Sequence, residues 1–294
     1  MNIKQLYYFT IIAETKSFTT AAQKLNLSQP PLSKQIILLE EEIGLKLMNR
    51  SSKKVELTEA GSFLYLKAKN ILSMMDATLS QLQDFQENPK SILKLGTISS
   101  SGNLLINNFI SDFCREYPQI TFEITEGTTY ELLEKLRHGI IECAIVRTPF
   151  NGEGFCCIYG NKEPLVAVGD GKFFENIKDK EIPLTALKNK PLIYYRRFET
   201  IINLAFEKVG VKPYIFCKTD DARTSLLWAG TGLGIALVPE SISKLSITGS
   251  MTVKTILSEE TTTKMAAIYK KDSYLSNGTK SFIDFFKERV IKEK

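Results

Sequence analysis

The sequence predicts a three-part chain: a small helical head carrying a β-hairpin, one long helix, and a larger α/β body. Three observations carry this. Short helical periodicities and a basic hairpin pattern fill residues 1–57. Residues 58–88 then repeat apolar side chains every three or four positions without a break. Beyond residue 90, β-like runs alternate with amphipathic helical ones. The length, 294 residues, and the 43% apolar content supply enough material for more than one core.

The head begins with Ile3, Leu6, Tyr7, Phe9, Ile12 and Ala13 on one helical stripe. Ser17 offers an N-cap for a second short helix, FTTAAQKL, whose Ala21 and Ala22 are small enough for close helix crossing. The turn Asn26-Leu27-Ser28 leads into QPPLSKQIILLEEEIG. Two helices joined by so short a turn make a helix-turn-helix. Pro30 and Pro31 belong at the start of the second helix, because its first N–H groups have no intrahelical partner and proline presets φ. Gln29 is the expected boundary, since a Ser28 cap would need N–H groups that the prolines lack. Gln29, Ser33 and Lys34 then stand near the end that a recognition helix presents to base edges and phosphates. Ile36, Ile37, Leu39 and Ile43 are the expected buried face.

After Gly44, two short runs, residues 45–48 and 55–57, flank the polar tip Asn49-Arg50-Ser51-Ser52-Lys53-Lys54. This reads as a hairpin wing beside the helix-turn-helix, with Arg50 suited to a narrow minor groove and Lys53 and Lys54 to phosphates. The charge pattern agrees. Residues 1–57 hold eight basic and five acidic side chains, a net +3, whereas the remaining residues contribute only +2. A basic head on a nearly neutral body suits an anionic polymer.

Here the chain resembles a known family. The segments LYYFTIIAETKSFTTAAQKLNLSQPPLSKQIILLEEEIGLKLMNR and VELTEAG, with the later GTGLGIALVPE, look like a LysR-type transcriptional regulator, and the likeness runs in order along essentially the whole chain. The resemblance implies that Gln29, Pro30, Ser33 and Lys34 are the DNA-contacting end of the recognition helix and that Arg50 is the wing arginine. Met48 stands where phenylalanine is usual, a volume-similar exchange, and Lys53 where a second arginine is frequent.

Thr58 is a good N-cap for the long helix, whose Leu64, Ala68, Ile71, Met75, Leu79 and Leu82 form an apolar stripe. A helix of some thirty residues, about 45 Å, reaches beyond what the small head can cover. The stripe therefore needs a partner: a second copy of the same helix, or the chain's own body. The resemblance favours the homodimer and implies a tetramer built from two such dimers. Asn88-Pro89-Lys90 is the expected hinge, so the expected domains are 1–57, 58–88 and 91–294.

In the body, ILKLGTIS, ITFEITEGTT, IIECAIVRT, PLVAVG, PLIYYRR, YIFCKTD and LGIALVPE read as strands. LLINNFISDFCREYP, YELLEKLRHG, INLAFEKVG and ARTSLLWAG read as helices between them. Such alternation predicts parallel sheets with crossover helices. Two α/β lobes resemble periplasmic solute-binding proteins, the fold that the family uses for its effector domain. Lobe I is expected over 91–161 and 267–294, and lobe II over 162–266. Ligands bind such sheets beyond the strands' carboxyl ends. The candidates there are Ser99, Ser100 and Ser101 before a helix N-terminus, Thr128 after the second strand, Arg147 at the end of the third, and Tyr195 and Arg196 in the other lobe. By resemblance, Ser99, Ser100, Thr128 and Arg147 are effector-contacting positions. The expected effector is a small anionic metabolite.

Other functions find less support in the sequence. The sole histidine, His138, has no metal cluster or nucleophile around it in the sequence, and GTGLGIA follows a helix, the wrong order for a dinucleotide site. No catalytic residue, metal or cofactor is expected. Five cysteines without CxxC spacing look reduced; a redox sensor using Cys156 and Cys157 and a solute-binding module without regulatory role are the alternatives. No run approaches a membrane span, and the N-terminus lacks the basic start of a secretory signal, so the expected location is the cytosol.

Overall fold

The computed structural model describes residues 1–50, 55–83, 92–101, 109–243 and 251–292. The chain divides into two compact units, one built largely on the first 87 residues and the other on the remainder.

In the head, α1 (Ile3–Thr15) opens with a reciprocal cap: Gln5 N–H donates to Asn2 Oδ1 at 2.9 Å, and Asn2 N–H to Gln5 Oε1 at 3.0 Å. Leu6, Phe9 and Ile12 are buried, while Ile3 and Tyr7, expected on the same stripe, are exposed and Tyr8 is buried in their place. Next comes α2 (Phe18–Lys24), capped by Ser17, whose hydroxyl accepts from Thr20 N–H at 3.2 Å. The recognition helix, α3 (Gln29–Ile43), starts at Gln29, so Ser28 is the N-cap position. Its side chain makes no capping bond, because Pro30 and Pro31 occupy the positions whose N–H groups a serine cap would use.

Helical spacing corrects the expected buried face of α3. Leu32, Ile36 and Leu39 enter the core and Ile43 packs partly against it; Ile37, about 100° around the helix from Ile36, is exposed. Gly44 closes α3 at φ 75°, a backbone conformation that favours glycine. The hairpin pairs β1 (Met48–Arg50) with β2 (Val55–Leu57) in the register Met48 to Leu57 and Arg50 to Val55. The first strand thus lies later than the expected run 45–48. Residues 45–47 instead form the connection from α3, and the Glu40 carboxylate binds its end. Lys53 and Lys54 lie outside the described residues.

Thr58 starts α4 (Glu59–Gln83): its hydroxyl accepts from Gly61 N–H at 2.9 Å and donates to the Lys46 carbonyl at 2.7 Å. The helix spans 25 residues, about 37 Å. A Cβ at Gly61 would collide with the Leu47 carbonyl oxygen, so α4 approaches the wing's connection at a distance only glycine allows. The expected hinge lies outside the described residues. Among those described, no helix is long and apolar enough to cross a membrane.

The body is built on two sheets that share one long strand. In lobe I, β3 (Ile92–Thr97), β4 (Thr121–Glu126) and β5 (Cys143–Arg147) run parallel, and β12 (Thr262–Lys270) pairs antiparallel with β5. In lobe II, β8 (Pro191–Tyr195), β9 (Tyr214–Thr219) and β10 (Ile235–Pro239) run parallel. The 16-residue β6 (Phe155–Asp170) joins them: it pairs with β12 through Pro164 and with β10 from Leu165 onward. The strand therefore changes sheets between residues 164 and 165 and β12 begins at 262, rather than at the expected 161/162 and 266/267. Both β11 (Met251–Ile256), antiparallel to β6, and the two-residue β7 (Glu181–Ile182) complete lobe II.

The body is thus mixed, not purely parallel as the alternation suggested, because β6, β11 and β12 return antiparallel. In β6 the polar Tyr159–Pro164 stretch breaks the periodicity and hides the strand's length. Of the helix expected over 104–118, Phe109–Glu116 is helical and residues 104–108 lie outside those described. Helix Asn277–Lys292, also unanticipated, drives Phe282, Phe285 and Phe286 against Phe109, with ring centres 5.1–5.8 Å apart, to fill the lobe I core. Lobe II has its own core around Val166, Ile193, Phe198, Phe206 and Leu237.

Candidate functional site

Two surfaces follow from this architecture. On the head, Gln29, Pro30 and Lys34 are exposed at the N-terminal end of α3, with Ser33 partly exposed beside them. The core-facing residues Leu32, Ile36 and Leu39 anchor that helix, so its opposite face is presented rigidly. Glu40 ties the wing to the same helix. Its side chain is almost fully buried, Oε1 accepts from Leu47 N–H at 2.8 Å and Met48 N–H at 3.2 Å, and Oε2 accepts from Lys46 Nζ at 3.1 Å. Burial pushes the Glu40 pKa up, but the Leu47 amide, the Lys46 ammonium and the Met48 amide outweigh it, and the net displacement is downward. The carboxylate is ionised at neutral pH. Arg50 lies at the end of β1. Sequence reasoning missed Glu40, which reads as one of three solvent-facing glutamates in a row.

The expected dimer stripe on α4 divides. Ala68 is fully buried in the head's own core and Leu64 packs against it, whereas Ile71, Leu79 and Leu82 are exposed and Met75 is half-buried. Phe63, Leu66 and Met74, absent from the expected set, are exposed as well. The first turns of α4 serve the head, and its later turns carry the uncovered apolar surface.

In the body, β3, β4 and β5 are adjacent and parallel, so their carboxyl ends deliver Ser99, Thr128 and Arg147 to one edge of lobe I. The three serines meet three different fates. Ser101 Oγ donates to the Ile98 carbonyl at 2.7 Å; Ser100 Oγ is buried without a hydrogen-bond partner; Ser99 meets lobe II, where its hydroxyl hydrogen-bonds with Tyr195 and Asp221. Thr128 is exposed and caps the next helix: its hydroxyl accepts from Glu131 N–H at 3.3 Å, while its own N–H donates to Glu131 Oε2 at 2.7 Å. The neighbouring Thr129 Oγ1 is buried and unpartnered.

Arg147 is wholly buried and joins both lobes. One Nη pairs with Glu163, on β6 just before that strand changes sheets; the other donates to the Ser100 carbonyl at 3.2 Å and to Ser241 Oγ of lobe II at 3.1 Å. Ser241 N–H in turn donates to Glu163. A wholly buried guanidinium needs such a carboxylate. Arg196, expected to face the cleft, is exposed and pairs with Asp220 at 2.9 Å. The next residue, Arg197, turns to lobe I instead: it donates to the Arg147 carbonyl and, at 2.8 Å, to the Pro149 carbonyl, and lies 6.0 Å from the centre of the Tyr130 ring. The 3-10 turn Arg196–Phe198 decides which of the two arginines points inward. Arg223 spans the lobes at an exposed position by pairing with Glu126 and Asp221.

Titration behaviour follows these contacts. Burial pushes the Tyr195 hydroxyl up, more than its hydrogen bond with Ser99 lowers it. Burial raises Asp221 too, but the Thr224 amide, Arg223 and the Ser99 hydroxyl overcome this and lower it. Burial draws Arg197 down from the ordinary arginine value, yet a guanidinium stays charged at neutral pH.

Cys156 and Cys157 are adjacent on a regular stretch of β6, paired in register with Tyr269 and Ile268, so their side chains leave opposite faces of the sheet. Burial pushes the Cys157 thiol up, which disfavours the thiolate that redox chemistry needs. Among the described residues no metal-binding cluster is present.

Comparison with known proteins places both units. Residues 3–62 match the bacterial regulatory helix-turn-helix protein model of the lysR family, and residues 86–291 match the LysR substrate binding domain. The HTH-type transcriptional regulator BenM of Acinetobacter baylyi is 30% identical over 253 residues, covering 84% of this chain and 83% of that protein. BsdA of Bacillus subtilis is 28% identical over 97% of this chain and all of its own length. In structure, full-length CbnR complexed with its target DNA superimposes with a TM-score of 0.81 at 22% identity, covering all of both chains. With a head and a body that both match, over most of its length, this chain belongs to the LysR family of DNA-binding transcriptional regulators, and it is a regulator rather than an enzyme.

Proposed function

We propose that this regulator reads a specific DNA sequence through α3 and its wing, works in the cytosol as a homodimer held by α4, and responds to a small anionic effector between the lobes of its body. Within the head, Gln29 and Ser33 lie near base edges, Lys34, Lys53 and Lys54 meet phosphates, and Arg50 enters the minor groove. The exposed N-terminal end of α3 supports this, as does CbnR, whose solved complex holds its target DNA. The domain limits 1–57, 58–88 and 91–294 go with this division of labour.

The observation that carries the effector reading is a set of buried polar atoms without partners at the lobe junction: Ser100 Oγ, Thr129 Oγ1, Arg147 Nε and Arg197 Nε. Each such atom costs about 1–3 kcal/mol if nothing meets it. Two of them are guanidinium donors, so an oxygen-rich anion suits them. Ser99, Ser101, Thr128 and Tyr195 border the same junction, while Arg196 is turned outward to Asp220. Binding regulates only through different affinities for alternative lobe or subunit poses.

Footprinting across the DNA flanking the chain's own gene tests the reading. Protected half-sites about one helical turn apart, or a multiple of it, are expected, together with a change in the pattern when small carboxylates are added. Uniform protection with no preferred site would overturn the DNA reading, and a pattern indifferent to every carboxylate would overturn the effector reading.

A further inference from the structure

We infer that Arg197, and not Arg147, supplies the counter-charge for the effector, and that the effector is a small monocarboxylate; this rests on the anionic reading above. Four arginines stand around the lobe junction. Three have carboxylate partners: Arg147 pairs with Glu163, Arg196 with Asp220, and Arg223 with Glu126 and Asp221. Among the described residues Arg197 alone has none; its partners are two neutral carbonyls and Tyr130, through its ring and its hydroxyl.

The two inward arginines therefore differ in kind. Both Nη groups of Arg147 are engaged, one on Glu163 and the other on Ser100 and Ser241, so the fork that would take a carboxylate is already filled by the protein's own. Because Ser241 and Ser100 belong to different lobes and Glu163 stands at the strand crossing, Arg147 acts as a clasp that sets how the lobes meet. Arg197 brings a positive charge with no counter-ion, and its buried Nε has no acceptor. A partly desolvated guanidinium beside a second one, Arg147, is electrostatically unfavourable, and a bound anion relieves that directly.

Contact rather than total charge sets the ligand class: the four arginines face four carboxylates, because Arg223 takes two, and among the described residues Arg197 alone touches none. One guanidinium without a carboxylate of its own offers a place for one carboxylate. Of the remaining orphans, the Ser100 and Thr129 hydroxyls can donate to or accept from neutral oxygens, and Arg147 Nε can donate to one, but the Arg147 charge is already met by Glu163, so none of them offsets a second negative charge. A dicarboxylate would bring a second charge to a place where every other arginine among the described residues already has a carboxylate. Tyr130, whose ring lies against Arg197 and is largely exposed, is placed to cover the bound group.

Thermal unfolding of the full-length protein tests this, with acetate, pyruvate and succinate as probes against sodium chloride at equal ionic strength. At about ten times Kd a monocarboxylate should raise the effector domain's Tm by about 3 °C, with succinate no better than acetate or pyruvate. Each variant is read against its own unliganded Tm. Arg197→Gln should lose the shift and Arg197→Lys should keep most of it, which separates loss of charge from loss of fold. Arg147→Gln should lower the unliganded Tm yet retain a carboxylate-dependent shift. If Arg197→Gln keeps the shift while Arg147→Gln loses it, the assignment is overturned. A larger shift with succinate overturns the monoanion class. Absence of any carboxylate shift in the wild type overturns the anionic reading itself, and this inference with it.

Discussion

Replacing Glu40 tests how the recognition helix and the wing are held as one reading head. The carboxylate is almost fully buried and takes two backbone N–H groups, from Leu47 and Met48, plus the Lys46 ammonium. Hydrogen bonds to a charged group contribute about 1.5–3 kcal/mol each, and a buried N–H left unpaired costs about 1–3 kcal/mol. Glu40→Ala strands both amides and opens a void, so a loss of about 3–5 kcal/mol is expected. Glu40→Gln keeps one oxygen for the amides but turns an NH2 toward Lys46, and should cost about 1–2 kcal/mol. Hydrogen exchange read by mass spectrometry on a peptide covering residues 45–50 reports this locally. At neutral pH, Ala should speed exchange there about a hundredfold or more and Gln about tenfold.

The pH dependence has a definite sign. The folded pKa of Glu40 lies below its unfolded value. Its contribution is therefore complete above the ordinary glutamate pKa of about 4.3 and disappears as pH falls through the lower folded value. Protection of the Leu47 and Met48 amides should hold at pH 6 and decline only in that acid window, and Glu40→Gln should abolish the decline. Equal effects of Ala and Gln, or protection at residues 45–50 that neither change disturbs, would mean that the Glu40 carboxylate does not hold the connection to α3.

Three further outcomes are expected. Gly61→Ala forces a Cβ onto the Leu47 carbonyl and should destabilise the head by about 1–3 kcal/mol, measured by urea unfolding; an unchanged midpoint would mean that α4 does not approach the wing's connection as described. Glutamate at Ile71 or Leu79, both exposed on α4, should give monomers or poorly soluble protein by light scattering, and an unaltered dimer would move the interface elsewhere. Lys34→Ala should weaken all duplexes and reduce the salt slope by about one, whereas Gln29→Ala should relax sequence preference by about 1–3 kcal/mol at the contacted pair; fluorescence anisotropy across salt and sequence separates the two, and identical behaviour would remove Gln29 from the base edges.

Features that depend on neighbours a few residues away can be read from the sequence. The Ser17 and Thr58 caps, the proline start of α3 and the Gly44 stop are each decided within about one helical turn, so each was legible. The order of head, long helix and α/β body was legible for the same reason, because periodicity is a local property. Choices between adjacent residues were not. Ile37 and Ile36 are equally apolar, and only the helix's rotation against α1 and α2 buries one and exposes the other. Arg196 and Arg197 are identical in type, yet a 3-10 turn sends the first to Asp220 and the second across to lobe I. The lobe junction itself was hidden most completely. Arg147 finds its carboxylate 16 residues away and its hydroxyl partner 94 residues away, and Ser99 meets Asp221 from the far lobe. A buried charge is stable only where the fold brings an opposite charge to it, and tertiary structure alone decided which of these groups are spent holding the lobes and which are left for a ligand.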